Sequence, residues 1–384
     1  MKVVSKRREF LAPLFMVALL ATGLLPAAES FAQEGGGVTV PVVLPPFDPG
    51  APRCGVPAAL KKELAFLQDN EREFIQGVGS GLAMAADDRG LGYRTLLAGN
   101  DAAKQAEQMR QLLAENVGGV AVAAVAPPSL GPILEEAMRA GTYVSTVVAP
   151  PATSLLNAPQ YLTGKALGDN AAAYIKERLG GKADVVLLTQ DSIAPLAPRF
   201  VAIRDSLKDI PGVTIIADIS PNPVDKGGGF ATMSIVLEAH PNVDVVLGAD
   251  AVVLGALDAL REAGKARPDQ YLGGIDGEPE AVAEIKQADS PFKASVALSS
   301  PVFGYAMGQH AADWLEGKSV PQAMDILPIA LTRENIAQYE ADLADPAAVY
   351  ADPARRDAYL KMYGNICYDT RDRYINFPWS SEAR

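Results

Sequence analysis

Residues 63 to 299 alternate two kinds of segment, and that alternation limits the fold more than any other feature of the chain. Short apolar runs read LAFLQ at 64–68, YRTLLAG at 93–99, VAVAAV at 120–125 and YVSTVV at 143–148. Stretches with helical spacing lie between them, at 74–88, 102–116 and 130–140. Strand, helix and strand in repeated succession predict a parallel sheet covered by helices on both faces. A Pro-rich link, APPATSLLNAP at 149–159, leads to a second series. It contains helices at 166–179, 200–208, 229–239 and 252–264, and strands DVVLLTQ at 184–190, VTIIAD at 213–218, VDVVLGAD at 243–250 and YLGGID at 271–276. KASVALS at 293–299 and a helix at 302–316 follow the last regular unit and read as elements that recross between lobes. The predicted fold is α/β, with two doubly wound parallel-sheet lobes joined by a multi-strand hinge.

The chain opens MKVVSKRREFLAPLFMVALLATGLLPAAESFAQ, a basic start, an apolar stretch and a small-residue site at Ser30-Phe31-Ala32. This predicts an export signal over residues 1–32. Arg7-Arg8 ahead of Phe10-Leu11 also fits the twin-arginine pattern, with the Sec route as the alternative. No cysteine near the cleavage site calls for a lipid anchor, and no other apolar run reaches the roughly 18 residues a membrane helix needs. The expected compartment is therefore the periplasm. The formal charge is −12, and removing Lys2, Lys6, Arg7, Arg8, Glu9 and Glu29 with the signal takes it to −14. An acidic chain of that kind is not expected to bind nucleic acid.

The remaining length suits two domains of about 150 residues each plus tails. A Gly- and Pro-rich arm is expected over 33–62, an N-terminal lobe over 63–160 plus 300–323, a C-terminal lobe over 161–299 plus 324–332, and an extension over 333–384. Cys54 and Cys367 are the two cysteines, one near each end of the mature chain. In an oxidising compartment they read as one disulfide that ties the arm to the tail. The tail aromatics Tyr374, Phe377 and Trp379 need burial, which places the extension along a lobe, with a partner-docking surface as the alternative.

Asp276-Gly277 ends the strand YLGGI and precedes Pro279, and it supports two readings. A carboxylate at the mouth of a parallel strand can accept hydrogen bonds from a guest in the crevice there. The same residues can equally form a turn and cap the helix that follows. Enzymatic signatures are thin. Gly77-Val78-Gly79-Ser80-Gly81 lacks dinucleotide-loop spacing and falls inside the first helix, where glycines serve close packing. His240 and His310 have no neighbouring cluster for a metal site, and no nucleophile sits beside a base. Neither cofactor nor metal is called for, and two lobes with a hinge make a cleft suited to a small molecule.

The segments LGADAVVLGALDALREAGK at 247–265, LGGIDGEPEAVAEI at 272–285 and FGYAMGQHAADWLEGK at 303–318 resemble the type I periplasmic solute-binding proteins that feed ABC importers, in particular the ribose-like sugar-binding branch. Gly90-Leu91-Gly92-Tyr93, and Val120-Ala121-Val122 followed by Pro127-Pro128, extend the resemblance over about residues 63 to 332. The resemblance implies that Arg199 and Asp276 hold ligand hydroxyls. It also places Phe74 and Asp250 at the ligand, although the pattern thins there, and the Asn70-Glu71-Arg72-Glu73 loop could supply polar contacts in place of the missing ones, with a solvated loop as the alternative. Ala249-Asp250 stands where relatives often have Asn-Asp, Leu298-Ser299 where a Gln is common, and Phe74 alone where an aromatic pair is usual.

Fewer hydroxyl partners favour a guest with fewer hydroxyls or with an apolar face, because an unmatched buried polar group costs about 1 to 3 kcal/mol. The expected function is capture of a sugar or polyol by a monomeric receptor that delivers it to an ABC permease in the inner membrane. A sensor for a chemoreceptor or histidine kinase and an exported enzyme are the alternatives.

Overall fold

The structure, a computed structural model, describes residues 36–40, 42–147 and 149–382. The export signal expected over 1–32, with its arginine pair and cleavage site, lies outside them. The first series runs β1 (Lys61–Gln68), α1 (Glu73–Asp88), β2 (Gly92–Leu97), α2 (Ala102–Ala114), β3 (Val117–Val122), α3 (Pro127–Ala140), β4 (Tyr143–Val147) and β5 (Ser154–Asn157). The second runs α4 (Gln160–Arg178), β6 (Lys182–Leu188), α5 (Ala197–Leu207), β7 (Gly212–Ile219), α6 (Lys226–Ala239), β8 (Val245–Gly248), α7 (Asp250–Glu262), β9 (Tyr271–Ile275), α8 (Pro279–Lys286) and β10 (Phe292–Ala297). Then follow α9 (Ser300–Leu315), β11 (Ala323–Ile326), β12 (Ile329–Leu331), α10 (Ile336–Ala344), α11 (Pro346–Ala351), α12 (Pro353–Tyr359), β13 (Leu360–Tyr363) and a 3-10 turn at Tyr368–Arg373.

The strands form two sheets, one in the order β13-β11-β5-β4-β3-β1-β2 and one in the order β12-β10-β9-β8-β6-β7. Every pairing is parallel except β12 against β10 and β13 against β11. The inner strands are buried on both faces, as helices on either side require; β3, VGGVAV, is buried along its whole length. Local signals set the helix ends. Asp101 caps α2 by accepting from Ala103 N and Lys104 N, and Gly141, at φ 102°, turns the chain out of α3. Helix α1 packs on α9 so closely that a Cβ at Gly81 would lie 2.1 Å from the Pro301 carbonyl oxygen. The Gly77–Gly81 run is thus a helix contact.

Three crossings join the lobes: β5 to α4, β10 to α9, and β11 to β12. Two of them correct the sequence reading. The Pro-rich link at 149–159 contains β5, a full member of the first sheet paired with β4 and β11. The third crossing falls between Ile326 and Ile329, so residues 324–326 belong to the first sheet, not to the C-terminal lobe. Both strands are four residues long, and each pairs with the other across more than 160 residues, so their own periodicity is too short to reveal them.

The extension completes the first sheet. Strand β13 pairs with β11, and Tyr374, Ile375, Phe377 and Trp379 are buried, the last three in a cluster with Leu155 and Ala323. The arm runs beside it: Val38 bridges Ile375, Phe47 N donates to Met362 O at 3.0 Å, and Cys54 and Cys367 are joined by an S–S bond of 2.06 Å.

Candidate binding site between the lobes

Parallel strands of both sheets end at the crevice that the crossings span, and the sequence places polar groups at those ends. At the end of β9 the chain turns sharply through Asp276, at φ 126°, and Gly277, at φ 71°. A non-glycine residue in that region is strained, a cost of the order of 1 to 3 kcal/mol that the surroundings must impose. They do so through the backbone. Asp276 N donates to Val296 O at 2.8 Å, Gly277 N to Ser295 Oγ at 3.0 Å, and Glu278 N to Asp250 Oδ2 at 2.8 Å. Ser295 Oγ in turn donates to the Asp250 carboxylate, 2.7 Å from Oδ2.

This buttress bears on the helix-cap reading of Asp276. The residue at the N-cap of α8 is Glu278, with no side-chain cap bond, so Asp276 does not cap the helix. The amides of Gly277 and Glu278 are satisfied by Ser295 and Asp250, and neither bond uses the Asp276 carboxylate. Its ion-pair partner is Arg199 Nη1 at 3.5 Å. The Asp276 side chain is 47% exposed and that of Arg199 is 11% exposed, so the acid is open to solvent while its partner is largely buried. Burial pushes the Asp276 carboxyl above its ordinary value and holds the Arg199 guanidinium below its own; their mutual attraction opposes both shifts. Two charges in that condition gain from a polar guest that hydrogen-bonds to both.

Asp250, expected among the ligand contacts, is fully buried at 0% exposure, and its carboxylate is used by Ser295 and Glu278. As the chain is folded it supports the turn and does not reach the crevice. Gly274 lies against it: a Cβ there would fall 1.7 Å from Asp250 Oδ1. Burial first of all raises the Asp250 carboxyl to about 8, against the opposing bonds from Ser295 and Glu278.

The first lobe contributes a self-bonded loop. Asn70 Nδ2 donates to Asn100 Oδ1 at 3.2 Å, and Asn70 Oδ1 accepts from Arg72 Nε at 3.1 Å. Arg72 also pairs with Asp69 at 2.5 Å. Asn70 thus has its amide engaged within its own loop and with Asn100. Phe74, half-buried at the start of α1, packs on Phe303 of α9 with ring centroids 5.5 Å apart. Glu73 beside it lies close enough to Glu278 of the opposite lobe that, after burial and Asp276, it helps to raise that carboxyl.

Two residues important to the geometry were not anticipated. Gln160, the first residue of α4, accepts from Arg199 Nε at 2.5 Å and sets the guanidinium plane. Ser295 of β10 links turn to buttress. Gln160 follows the Pro-rich link, where helical periodicity begins too late to mark it, and a serine inside an apolar strand carries no distinguishing pattern. Ser299, at the second crossing, has its hydroxyl buried with no hydrogen-bond partner among the described residues. Among the described residues no group of three or more His, Cys, Asp or Glu side chains is arranged to hold a metal, and no helix is long and apolar enough to cross a membrane.

A family model described as a periplasmic binding protein domain matches residues 65–319. The chain is 28% identical over 262 residues to the ribose import binding protein of Bacillus subtilis, covering 65% of this chain and 80% of that protein. It is 29% identical over 252 residues to the xylitol-binding protein of Mycolicibacterium smegmatis, covering 62% of this chain and 68% of the relative. Among solved structures, a periplasmic ribose ABC transporter protein from Conexibacter woesei superposes with a TM-score of 0.63 at 20% identity, over 75% of this chain and 97% of that one. With two parallel-sheet lobes, three crossings and a family match over most of its length, this chain belongs to the periplasmic binding proteins.

Proposed function

We propose that the protein captures a small sugar or polyol between its lobes and delivers it to an ABC importer. The observation that carries this reading is the Arg199–Asp276 pair, held at 3.5 Å at the ends of second-lobe elements by a turn whose own amides are satisfied by Ser295 and Asp250. A hydroxyl pair can donate to the Asp276 carboxylate and accept from the Arg199 guanidinium at once. Phe74 offers a surface for C–H groups of a carbohydrate-like guest. The relatives that bind ribose and xylitol support the same class of guest. With Asp250 behind the turn and Asn70 bonded within its loop, few side chains remain to meet hydroxyls, which favours a pentose or a linear polyol over a hexose. The protein acts as a monomer in the periplasm, reached through the export signal at 1–32, and the closed pair of lobes is the surface the permease reads.

A thermal-shift screen of pentoses, hexoses, pentitols and inositols tests this. A guest that binds only the folded protein stabilises it by about 2.7 kcal/mol at a hundredfold excess over Kd. Asp276→Ala removes that shift. No shift with any of these compounds, or an undiminished shift in the variant, overturns the reading.

A further inference from the structure

The arm and the extension meet at the C-terminal end of α9 and border a half-open cavity of about 660 Å³, within the size range of small-molecule sites. Its walls include Pro46, Phe47 and Arg53 from the arm, His310 from α9, and Tyr350 and Met362 from the extension. The family match, at 65–319, excludes both arm and extension, so most of this cavity is built from segments added to the shared fold.

The charge inside it runs against that of the molecule. Arg53, Lys318, Arg356 and Lys361 line it against two carboxylates, Asp313 and Asp357, in a chain of formal charge −12. Lys318 is held by Asp313 and Glu316, each at 2.8 Å, and Arg356 by Asp357 at 2.8 Å. Arg53 and Lys361 have no carboxylate partner among the described residues; the Lys361 ammonium instead lies 5.5 Å from the Tyr363 ring centroid. One neutralised and one open set of cations therefore share the cavity, with the open pair divided between arm and extension.

The polar wall is also incomplete. His310 is 2% exposed, its Nε2 lies 3.2 Å from Tyr350 Oη, and its Nδ1 has no hydrogen-bond partner among the described residues. Burial holds the imidazole near a pKa of about 4, so it is neutral at ordinary pH and keeps Tyr350 oriented without adding charge. Tyr350 in turn lies under the Arg356 guanidinium, 5.8 Å from its ring centroid, so one aromatic face already supports a cation there. Phe47, Tyr350 and Met362 leave an apolar face beside the charged one.

We propose that this cavity is a second ligand site, separate from the interlobe crevice, for a small organic anion. A carboxylate, phosphate or sulfonate group is held by Arg53 and Lys361, and an aromatic or aliphatic body lies against Phe47, Tyr350 and Met362. The anion supplies the charge that the two open cations lack, and its body covers the apolar wall.

The test uses the oxidised full chain with 8-anilinonaphthalene-1-sulfonate as a fluorescent probe, and benzoate and phenyl phosphate as competitors. The probe is expected to saturate at one molecule per chain. Its affinity should fall at least tenfold in the Arg53→Ala/Lys361→Ala double variant and be lost in Ala51→Trp, which fills the cavity from the arm. Binding should be unchanged in Asp276→Ala, which alters only the crevice, so failure here and failure of the sugar-binding reading are distinguishable. Competition by phenyl phosphate alone or by benzoate alone identifies the anion; both outcomes support the site. Equal affinity in the double variant and in Ala51→Trp, loss in Asp276→Ala, or the absence of saturable binding overturns it. Arg53 and Lys361 are both exposed, and melting midpoints equal to that of the parent protein show that the variants are folded.

Discussion

Arg199 Nε donates to Gln160 Oε1 at 2.5 Å, a bond that ties the first turn of α5 to the first residue after the β5 crossing. The guanidinium that faces Asp276 is thus oriented by a side chain at the hinge. Gln160→Ala is expected to weaken ligand binding about tenfold, equivalent to about 1.4 kcal/mol, while moving the unliganded melting midpoint by little. Titration calorimetry on the ligand found by screening checks it; unchanged affinity would make the contact incidental.

The start of α4 lacks a cap of its own, and the tail supplies one. Glu382 accepts from Tyr161 N at 3.1 Å and from Leu162 N at 2.7 Å. An acid at a helix N-terminus stabilises it by satisfying free amides and by its charge. Glu382→Gln should lower stability by about 0.5 to 1 kcal/mol, and removal of residues after Trp379 by about 1 to 2 kcal/mol. Chemical denaturation of both variants measures the difference, and equal midpoints would show that the cap contributes nothing in solution.

The strained backbone at Asp276 separates function from stability. Asp276→Gly removes the carboxylate and relieves the positive φ at the same position. Ligand binding should be lost while the unliganded melting midpoint stays at or above that of the parent protein. A lower midpoint would mean that the carboxylate, through Arg199, supports the fold more than the strain opposes it.

Burial of Asp250 sets the sign of a pH dependence in stability. Its folded pKa of about 8 lies above the ordinary carboxyl value, so the folded state holds the proton more tightly than the unfolded one. The stability this contributes is full below the unfolded value near 4 and is lost as pH rises towards 8, by a few kcal/mol at most. Asp250→Asn keeps an acceptor for Glu278 N and should flatten the loss. Denaturation midpoints measured from pH 4.5 to 8.5 check this, and parallel curves for parent and variant would refute it.

Reduction of Cys54–Cys367 opens a link between residues 313 apart, a constraint of about 5 kcal/mol at the upper end of the chain-entropy treatment. The melting midpoint should fall on reduction while sugar or polyol affinity is retained, because neither cysteine lies at the crevice. Two titratable thiols in the oxidised protein would contradict the bond.

The sequence by itself determined the two α/β series, the crevice at strand ends, the cysteine pairing and the candidacy of Arg199 and Asp276. These follow from local repeats of apolar residues, from the count of two cysteines, and from residue types at strand ends that resemble relatives. Only the tertiary structure decided that β5 lies within the Pro-rich link, that Asp250 is buried behind the turn, and that Gln160 and Glu382 act at the hinge. The physical reason is distance along the chain. Glu382 meets Leu162 across 220 residues, and Ser295 meets Asp250 across 45, so no window of sequence contains both partners. Which face of a polar residue is solvated is set by those partners and not by the residue's own neighbours, and so Asp250, which reads as a ligand contact, is a support for the turn that carries Asp276.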